Sequence, residues 1–219
     1  MDAHDWDERY AAGRVWSVEP NRWVVSELSG VTPGRALDAA CGEGRNALWL
    51  AEQGWQVDAV DYSQVALQRG RQVEAECRAA GQTDSSPISW IHADLTEEGT
   101  VAGHYDLVLA AYVQIEAFER TPLIRAAAAT LAPGGTLLVV AHDTSNLTDG
   151  WGGPQDPAHL YTARDIASDV QDMISSGALA VERADRVARE VDTEEGPRVA
   201  WDALFRAHRR DSTKGLTFV

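Results

Sequence analysis

The chain has 219 residues, enough for one α/β domain with a full core, and a formal net charge of -15 from 34 acidic against 19 basic side chains. That field repels phosphate backbones and anionic lipid, so nucleic acid and membrane are not the expected partners, although an acidic surface also simply serves solubility. No apolar stretch approaches the ~20 residues that span a bilayer, MDAHDWDERY is too acidic for a secretion or transit signal, and Cys41 and Cys77 fit neither a disulfide framework nor a zinc spacing, so the expectation is a single-domain, cytoplasmic, metal-free protein.

Asp5 is placed to cap a short helix from Trp6 to about Ala12, and Asn21 another from Arg22 to about Ser29. Trp6, Tyr10, Trp16 and Trp23 crowd this lead-in, where aromatics on short helices dock them to a domain. The stretch that follows, RALDAACGEGRNALWLAEQGWQVDAVDYS from Arg35 to Ser63, organises the chain. Ala36, Leu37, Ala39 and Ala40 form an apolar run suited to a strand covered on both faces. Gly42 and Gly44 then allow a sharp turn close to a ligand, and the amides opening the next helix carry partial positive charge. Ala47, Leu48, Leu50 and Ala51 recur at helical spacing, Gly54 closes the helix, and a second strand from Gln56 to Val60 runs into Asp61.

An acid at that second tip is placed to accept both hydroxyls of a ribose, so the unit is built for a nucleoside. The glycine pattern alone also satisfies a relaxed dinucleotide fingerprint, which keeps a nicotinamide-linked oxidoreductase as a competitor. Asp38 argues against it: four residues before Gly42, a carboxylate repels diphosphate and suits an amine-bearing ligand.

Ser63 caps a helix to about Ala80, and a polar loop from Gln82 to Pro87 leads to a third strand, Ile88 to His92, followed by Asp94, which can also cap the polar turn after it. A fourth strand runs from Tyr105 to Ala111, with Tyr112, Gln114 and Glu116 beyond it as candidates to face a small substrate. A helix from Pro122 to Leu131 and a turn at Pro133 to Gly135 precede a fifth strand, Thr136 to Ala141, which ends in His142 and Asp143. The glycine- and proline-rich connection from Thr144 to Tyr161 has the composition of an irregular binding loop, with Trp151, Asp156, His159 and Tyr161 as a candidate substrate wall. Thr162 and Asp165 form a capping box for a helix through Ile166, Val170 and Ile174 that Gly177 closes. Two final strands, about Ala178 to Glu190 and Pro197 to Arg206, flank an acidic turn.

The ordered series Asp38-Ala-Ala-Cys-Gly-Glu-Gly44, Asp61, His92-Ala-Asp94-Leu, Tyr105-Asp-Leu-Val-Leu109 and Leu131-Ala-Pro-Gly-Gly-Thr-Leu137 resembles that of class I S-adenosylmethionine (SAM)-dependent methyltransferases. The form CGEGRNALWLAEQGWQVDAVDYS is most similar to the small bacterial branch related to tellurite-resistance and thiopurine methyltransferases, and the resemblance covers about residues 6–210. It implies an α/β fold: a Rossmann-like, seven-stranded, mostly parallel sheet with helices on both faces and a C-terminal antiparallel hairpin. It also implies a cofactor, SAM, and a small-molecule methyl acceptor; the Asn-Pro-Pro-Tyr arrangement of DNA amino methyltransferases is missing after Ala111. By that resemblance Asp38 faces the cofactor's amine, and Ala40, the amides of Gly42 and Gly44, and Asn46 surround its methionine part. Asp61 takes the ribose, Asp94 and Leu95 the adenine, Tyr62 or Leu95 an edge of the ring, and the carbonyl of Ala110 or Ala111 lines the amine pocket. Tyr10 and Trp16 are candidates for an aromatic cap over the cofactor, whereas Trp6 and Trp23 are expected only to dock. His142 is the candidate general base, or else shapes the loop after it. A non-catalytic SAM-binding protein is a third reading.

Overall fold

The computed structural model describes residues 3–13, 19–97, 100–101 and 103–211. Two helices, α1 (Ala3–Ala12) and α2 (Arg22–Leu28), precede an alternation of strand and helix: β1 (Arg35–Ala39), α3 (Arg45–Glu52), β2 (Gln56–Asp61), α4 (Gln64–Ala79), β3 (Ser89–His92), β4 (Tyr105–Ala111), α5 (Ala117–Ala129) and β5 (Leu131–His142). Helices α6 (Ala163–Asp169) and α7 (Gln171–Ser175) lead to the hairpin of β6 (Leu179–Thr193) and β7 (Gly196–Arg209). All seven strands form one sheet in the order β3-β2-β1-β4-β5-β7-β6. The first five are parallel, and β7 enters antiparallel between β5 and β6. The strand order reverses between β1 and β4, which is where an open α/β sheet leaves a crevice at its carboxyl edge.

Alternation along the strands divides the core. Ala36 of β1, Leu107 and Leu109 of β4 and Leu138 of β5 pack with Leu28 of α2 and Leu50 of α3. Leu37, Ala39, Val108 and Val139 face the other way, against Ile124 of α5 and Ile166 of α6. Burying each such aliphatic side chain contributes about 1.5–3 kcal/mol, so both faces are needed to hold the sheet.

Local signals set several element ends. The Asn21 side chain accepts from the N–H of Trp23 and Val24, Ser63 from Ala66, and Thr162 and Asp165 form the expected capping box. Elsewhere packing overrides them. Helix α5 begins five residues before Pro122, which sits inside it; the proline forfeits only the bond to Phe118, a residue that is 73% exposed. The helix expected to run through to Gly177 breaks at Val170, which is buried in the core, directly after Asp169. There Arg120 donates to both carboxylate oxygens of Asp169, at 2.7 and 3.1 Å, a buried pair that fixes the end of α6. The connection 144–161 contains two 3₁₀ turns, Thr144–Leu147 and Pro157–His159.

Beside the first strands, the Trp90 indole of β3 is wedged between two glycines. A Cβ at Gly44 would lie 2.2 Å from the Trp90 ring, and one at Gly70 of α4 would lie 2.4 Å from it. The indole N–H is tied to Glu74 Oε2 at 2.8 Å, so the ring has no easy retreat. A glycine-to-alanine change inside a helix ordinarily stabilises by about 0.5–1 kcal/mol. Gly70→Ala should instead destabilise, by about 1–3 kcal/mol of overpacking, read as a drop in thermal midpoint; a rise would overturn the wedge.

Candidate functional site

The crevice holds a cavity of about 420 Å³ over the tips of β1, β2 and β4. Its floor is the turn from Ala40 to Gly44, in which Ala40 has φ 55°, Gly42 φ 57° and Gly44 φ 76°. Asp61 and Tyr62 line it at the β2 tip, Asp94 and Leu95 after β3, and Tyr112 after β4, while Trp6 and Tyr10 of α1 close over it.

Asp61 is the anchor. Its Oδ2 accepts the N–H of Gly42 at 2.7 Å and its Oδ1 accepts that of Ser63 at 2.8 Å. Burial raises the carboxyl above its usual range, and the two backbone donors from Ser63 and Gly42 oppose that shift. The Ser63 hydroxyl donates in turn to Asp7 Oδ1, which also takes the Val65 N–H at 3.3 Å, so the start of α4 fastens both the floor and the covering helix α1.

The glycine turn differs from expectation. The Gly42 amide is engaged by Asp61 and that of Gly44 by the carbonyl of Cys41 at 3.0 Å, so neither is offered to a ligand. Asp38 alternates onto the same face of β1 as Ala36 and lies behind the turn instead of on the cavity wall. It takes the N–H of Ala47 in the first turn of α3, whose N-cap, Gly44, has no side chain to do so. The other oxygen, Oδ2, is buried with no hydrogen-bond partner among the described residues. Burial, and then the nearby Asp61, push this carboxyl up to about 7. The same burial, with Asp61 and Asp38 near, pushes the Cys41 thiol up, which leaves it protonated and fits a packing role.

At the adenine end of the expected map, Asp94 Oδ1 accepts both the N–H and the hydroxyl of Thr96, at 2.8 and 2.7 Å, and so closes its own turn while standing on the wall beside buried Leu95. Tyr10 is buried and packed on Trp6 with ring centroids 5.6 Å apart. Trp6, expected only to dock, also lines the cavity. Trp23 does dock: its indole N–H donates to Asp202 at 2.9 Å. Trp16 lies outside the described residues. Asn46 reaches the wall and accepts the Asn21 N–H at 2.9 Å, tying α2 to α3.

One expectation is narrowed and two are corrected by where the strands aim their side chains. Of the two alanines named for the amine pocket, Ala110 is fully buried in the core against α5, and Ala111 lines the cavity. His142 does not reach the cavity wall: it stacks behind the Tyr112 ring at 4.5 Å, and its Nδ1 faces Asp202 Oδ1 at 3.5 Å. Gly153 presses on its other side, where a Cβ would lie 2.9 Å from the imidazole. The loop is not a substrate wall either. The Tyr161 hydroxyl is buried on the Val113 carbonyl at 2.6 Å, and Trp151 is 45% exposed away from the cavity. Gln114 stands at the cavity, but its carboxamide is a strut that donates to the His159 carbonyl and accepts the His142 N–H at 2.9 Å.

Sequence reasoning missed Arg45, the first residue of α3. It lines the cavity with its guanidinium 5.8 Å from the Tyr112 ring centroid. Burial lowers its pKa, and Arg189 adds to the lowering. Its only signal was its place just after the glycine turn. Asp202 was missed too, since its partners lie up to 179 positions away in sequence.

Residues 36–135 match the methyltransferase domain family. The ribosomal RNA small subunit methyltransferase C of Chromohalobacter salexigens is 34% identical over 113 residues, 49% of this chain and 31% of that protein. An uncharacterized methyltransferase of Mycobacterium tuberculosis is 37% identical over 116 residues, 52% of this chain and 53% of that one. The chain thus spans about a third to about a half of the length of these curated relatives. Among solved structures, the N-methyltransferase NodS of Bradyrhizobium japonicum WM9, in complex with S-adenosyl-L-homocysteine, is similar with a TM-score of 0.67 and 18% identity, over 96% of this chain and 100% of that one. At that identity the likeness is one of fold.

The raised carboxyl of Asp38 carries a pH signature. Between about pH 4 and 7 the folded protein keeps a proton on it that the unfolded chain has released, so its contribution to stability falls as pH rises through that window and is level above it. Asp38→Asn, which keeps an acceptor for Ala47, should therefore raise the thermal midpoint of the ligand-free protein at pH 8 and leave it little changed near pH 4. One kcal/mol corresponds to about 2–4 °C for a domain of this size. Equal midpoints at pH 8 would show that the fold does not raise the pKa of Asp38.

Proposed function

We propose that this chain, whose residues 36–135 form a methyltransferase domain within the class I fold, is a SAM-dependent methyltransferase with a small-molecule acceptor. The observation that carries the reading is the state of the glycine turn. Gly42 and Gly44 have their amides engaged within the chain, so neither is offered to the pyrophosphate of a dinucleotide, while Asp61 at the tip of β2 and Asp94 after β3 line the cavity and Asp38 of β1 lies behind the turn. The orphaned oxygen of Asp38 fits the same reading, since a buried unpaired acceptor beside a cavity is relieved by a cation, and the methionine ammonium of SAM is one.

On this reading each wall has one task. Asp61 keeps lone pairs free beyond those on Gly42 and Ser63 and binds the ribose hydroxyls. Asp94 and Leu95 hold the adenine, with Tyr62 at its edge. Asn46 and Arg45 border the methionine part, with Asp38 behind the turn. Trp6 and Tyr10 exclude water from above. SAM when bound supplies an activated methyl on a sulfonium, so orientation and dehydration supply much of the acceleration, with about 7–11 kcal/mol available from alignment alone. His142, screened by Tyr112, is no longer assigned as the base.

The aromatic-lined cavity of about 420 Å³ and the net charge of -15 favour a small acceptor. The similarity to a ribosomal RNA methyltransferase supports a second reading, an RNA acceptor. Calorimetric titration with S-adenosylhomocysteine and with reduced nicotinamide dinucleotide tests the cofactor: binding of the first only is expected, and binding of the second only would overturn the proposal. Transfer of tritiated methyl from SAM to a panel of small thiols, amines and phenols, against purified 30S subunits, tests the acceptor; label on the subunits alone would favour RNA. Asp61→Ala should weaken S-adenosylhomocysteine binding about 10- to 150-fold, the loss of one charged hydrogen bond, and unchanged affinity would remove Asp61 from the ribose.

A further inference from the structure

Behind the cavity, four elements converge on one carboxylate. Asp202 of β7 is fully buried, and its Oδ2 accepts the Trp23 indole N–H of α2 at 2.9 Å, Arg189 Nε of β6 at 2.8 Å and the Tyr112 hydroxyl at 3.0 Å. Its Oδ1 faces His142 Nδ1 of β5 at 3.5 Å. Burial pushes the carboxyl up, but the nearby His142 and the hydrogen bonds from Arg189 and Trp23 outweigh it and hold the group ionised, below its usual range, although Oδ1 and His142 Nδ1 make no hydrogen bond to each other. The one member of this cluster that reaches the cavity is Tyr112.

Tyr112 is held in a conformation that a bulky L-residue rarely adopts, with φ 58°. Such a backbone persists only where its surroundings over-determine it. Here the N–H is fixed on the Val140 carbonyl at 2.7 Å, one ring face lies on His142, Arg45 approaches the ring, and the hydroxyl ends on Asp202. Burial, and then Asp202, push the phenol up to about 12, so it remains a donor at any physiological pH.

We infer that Asp202 is a positioning residue: acting through the Tyr112 hydroxyl, it pins the aromatic wall against which the methionine end of the cofactor is held. The inference rests on the SAM reading of the cavity. It follows from the layout, because Tyr112 stands next to Arg45 and the glycine turn, whereas Asp61, Asp94 and Leu95 serve the nucleoside end from β2 and β3. A loosened wall at β4 therefore affects the amino-acid tail and spares the nucleoside.

Two ligands separate these ends: S-adenosylhomocysteine fills both, and 5′-methylthioadenosine lacks the amino-acid tail. In calorimetric titrations Tyr112→Phe and Asp202→Asn should each weaken S-adenosylhomocysteine about tenfold, the scale of one hydrogen bond to a charged group, while methylthioadenosine changes less than about twofold. The double variant should be no weaker than Asp202→Asn alone, since both changes break the same link. If Asp202→Asn does not fold, Tyr112→Phe, which keeps the ring, carries the test with the same two ligands. Equal weakening of both ligands, additive losses in the double variant, or unchanged affinity in Tyr112→Phe would overturn the positioning role. Wild-type protein that binds neither ligand would overturn the SAM reading and this inference with it; wild-type binding with unaffected variants would overturn this inference alone.

Discussion

The crevice depends on a carboxylate that never leaves the protein. Asp61 joins two turns that the chain makes at different times, the one after β1 and the one before α4, by accepting a backbone N–H from each. A charge-assisted bond of this kind contributes about 1.5–3 kcal/mol, but burial resists the charge that makes it so. The raised pKa of Asp61 is the trace of that opposition. Because Ser63 also holds Asp7, the cover of the cavity and its floor hang from the same helix start, and moving one disturbs the other.

Two further buried acids divide the remaining work. Asp38 serves the scaffold with one oxygen, by capping α3, and leaves the other without a partner beside a second carboxylate, an arrangement that destabilises the empty protein and rewards a bound cation. Asp202 shares that pattern in part: its Oδ2 gathers donors from α2, β6 and Tyr112, just after β4, while its Oδ1 has no hydrogen-bond partner among the described residues, and the group remains ionised. The net charge of -15 shows none of this, because the decisive groups are inside.

Much of the scaffold was legible because its causes are local. Asn21, Ser63 and the Thr162–Asp165 box cap helices where their side chains said they would, and the apolar run from Ala36 placed β1. What escaped were facts about partners distant in sequence. Whether the Gly42 amide is free is decided by an acid nineteen positions on. Whether His142 faces the crevice is decided by Tyr112, which stands in front of it, and by Gly153, which closes from behind. Pro122 resembled a helix start because proline favours that place, yet α5 had already begun and tolerated it. The glycines were legible as turn-formers, but Gly70 has a second reason to exist that only Trp90 reveals.

The sheet terminates at β6, which pairs with β7 on one side only. Among the described residues nothing pairs with the other side of these fifteen residues of main chain, the sort of ledge on which foreign strands polymerise. Its exposed residues answer that hazard with charges of both signs: Glu182, Asp185, Arg186 and Glu190. An incoming strand would have to strip water from charges of both kinds, so hydration of these side chains opposes fibril growth along this margin.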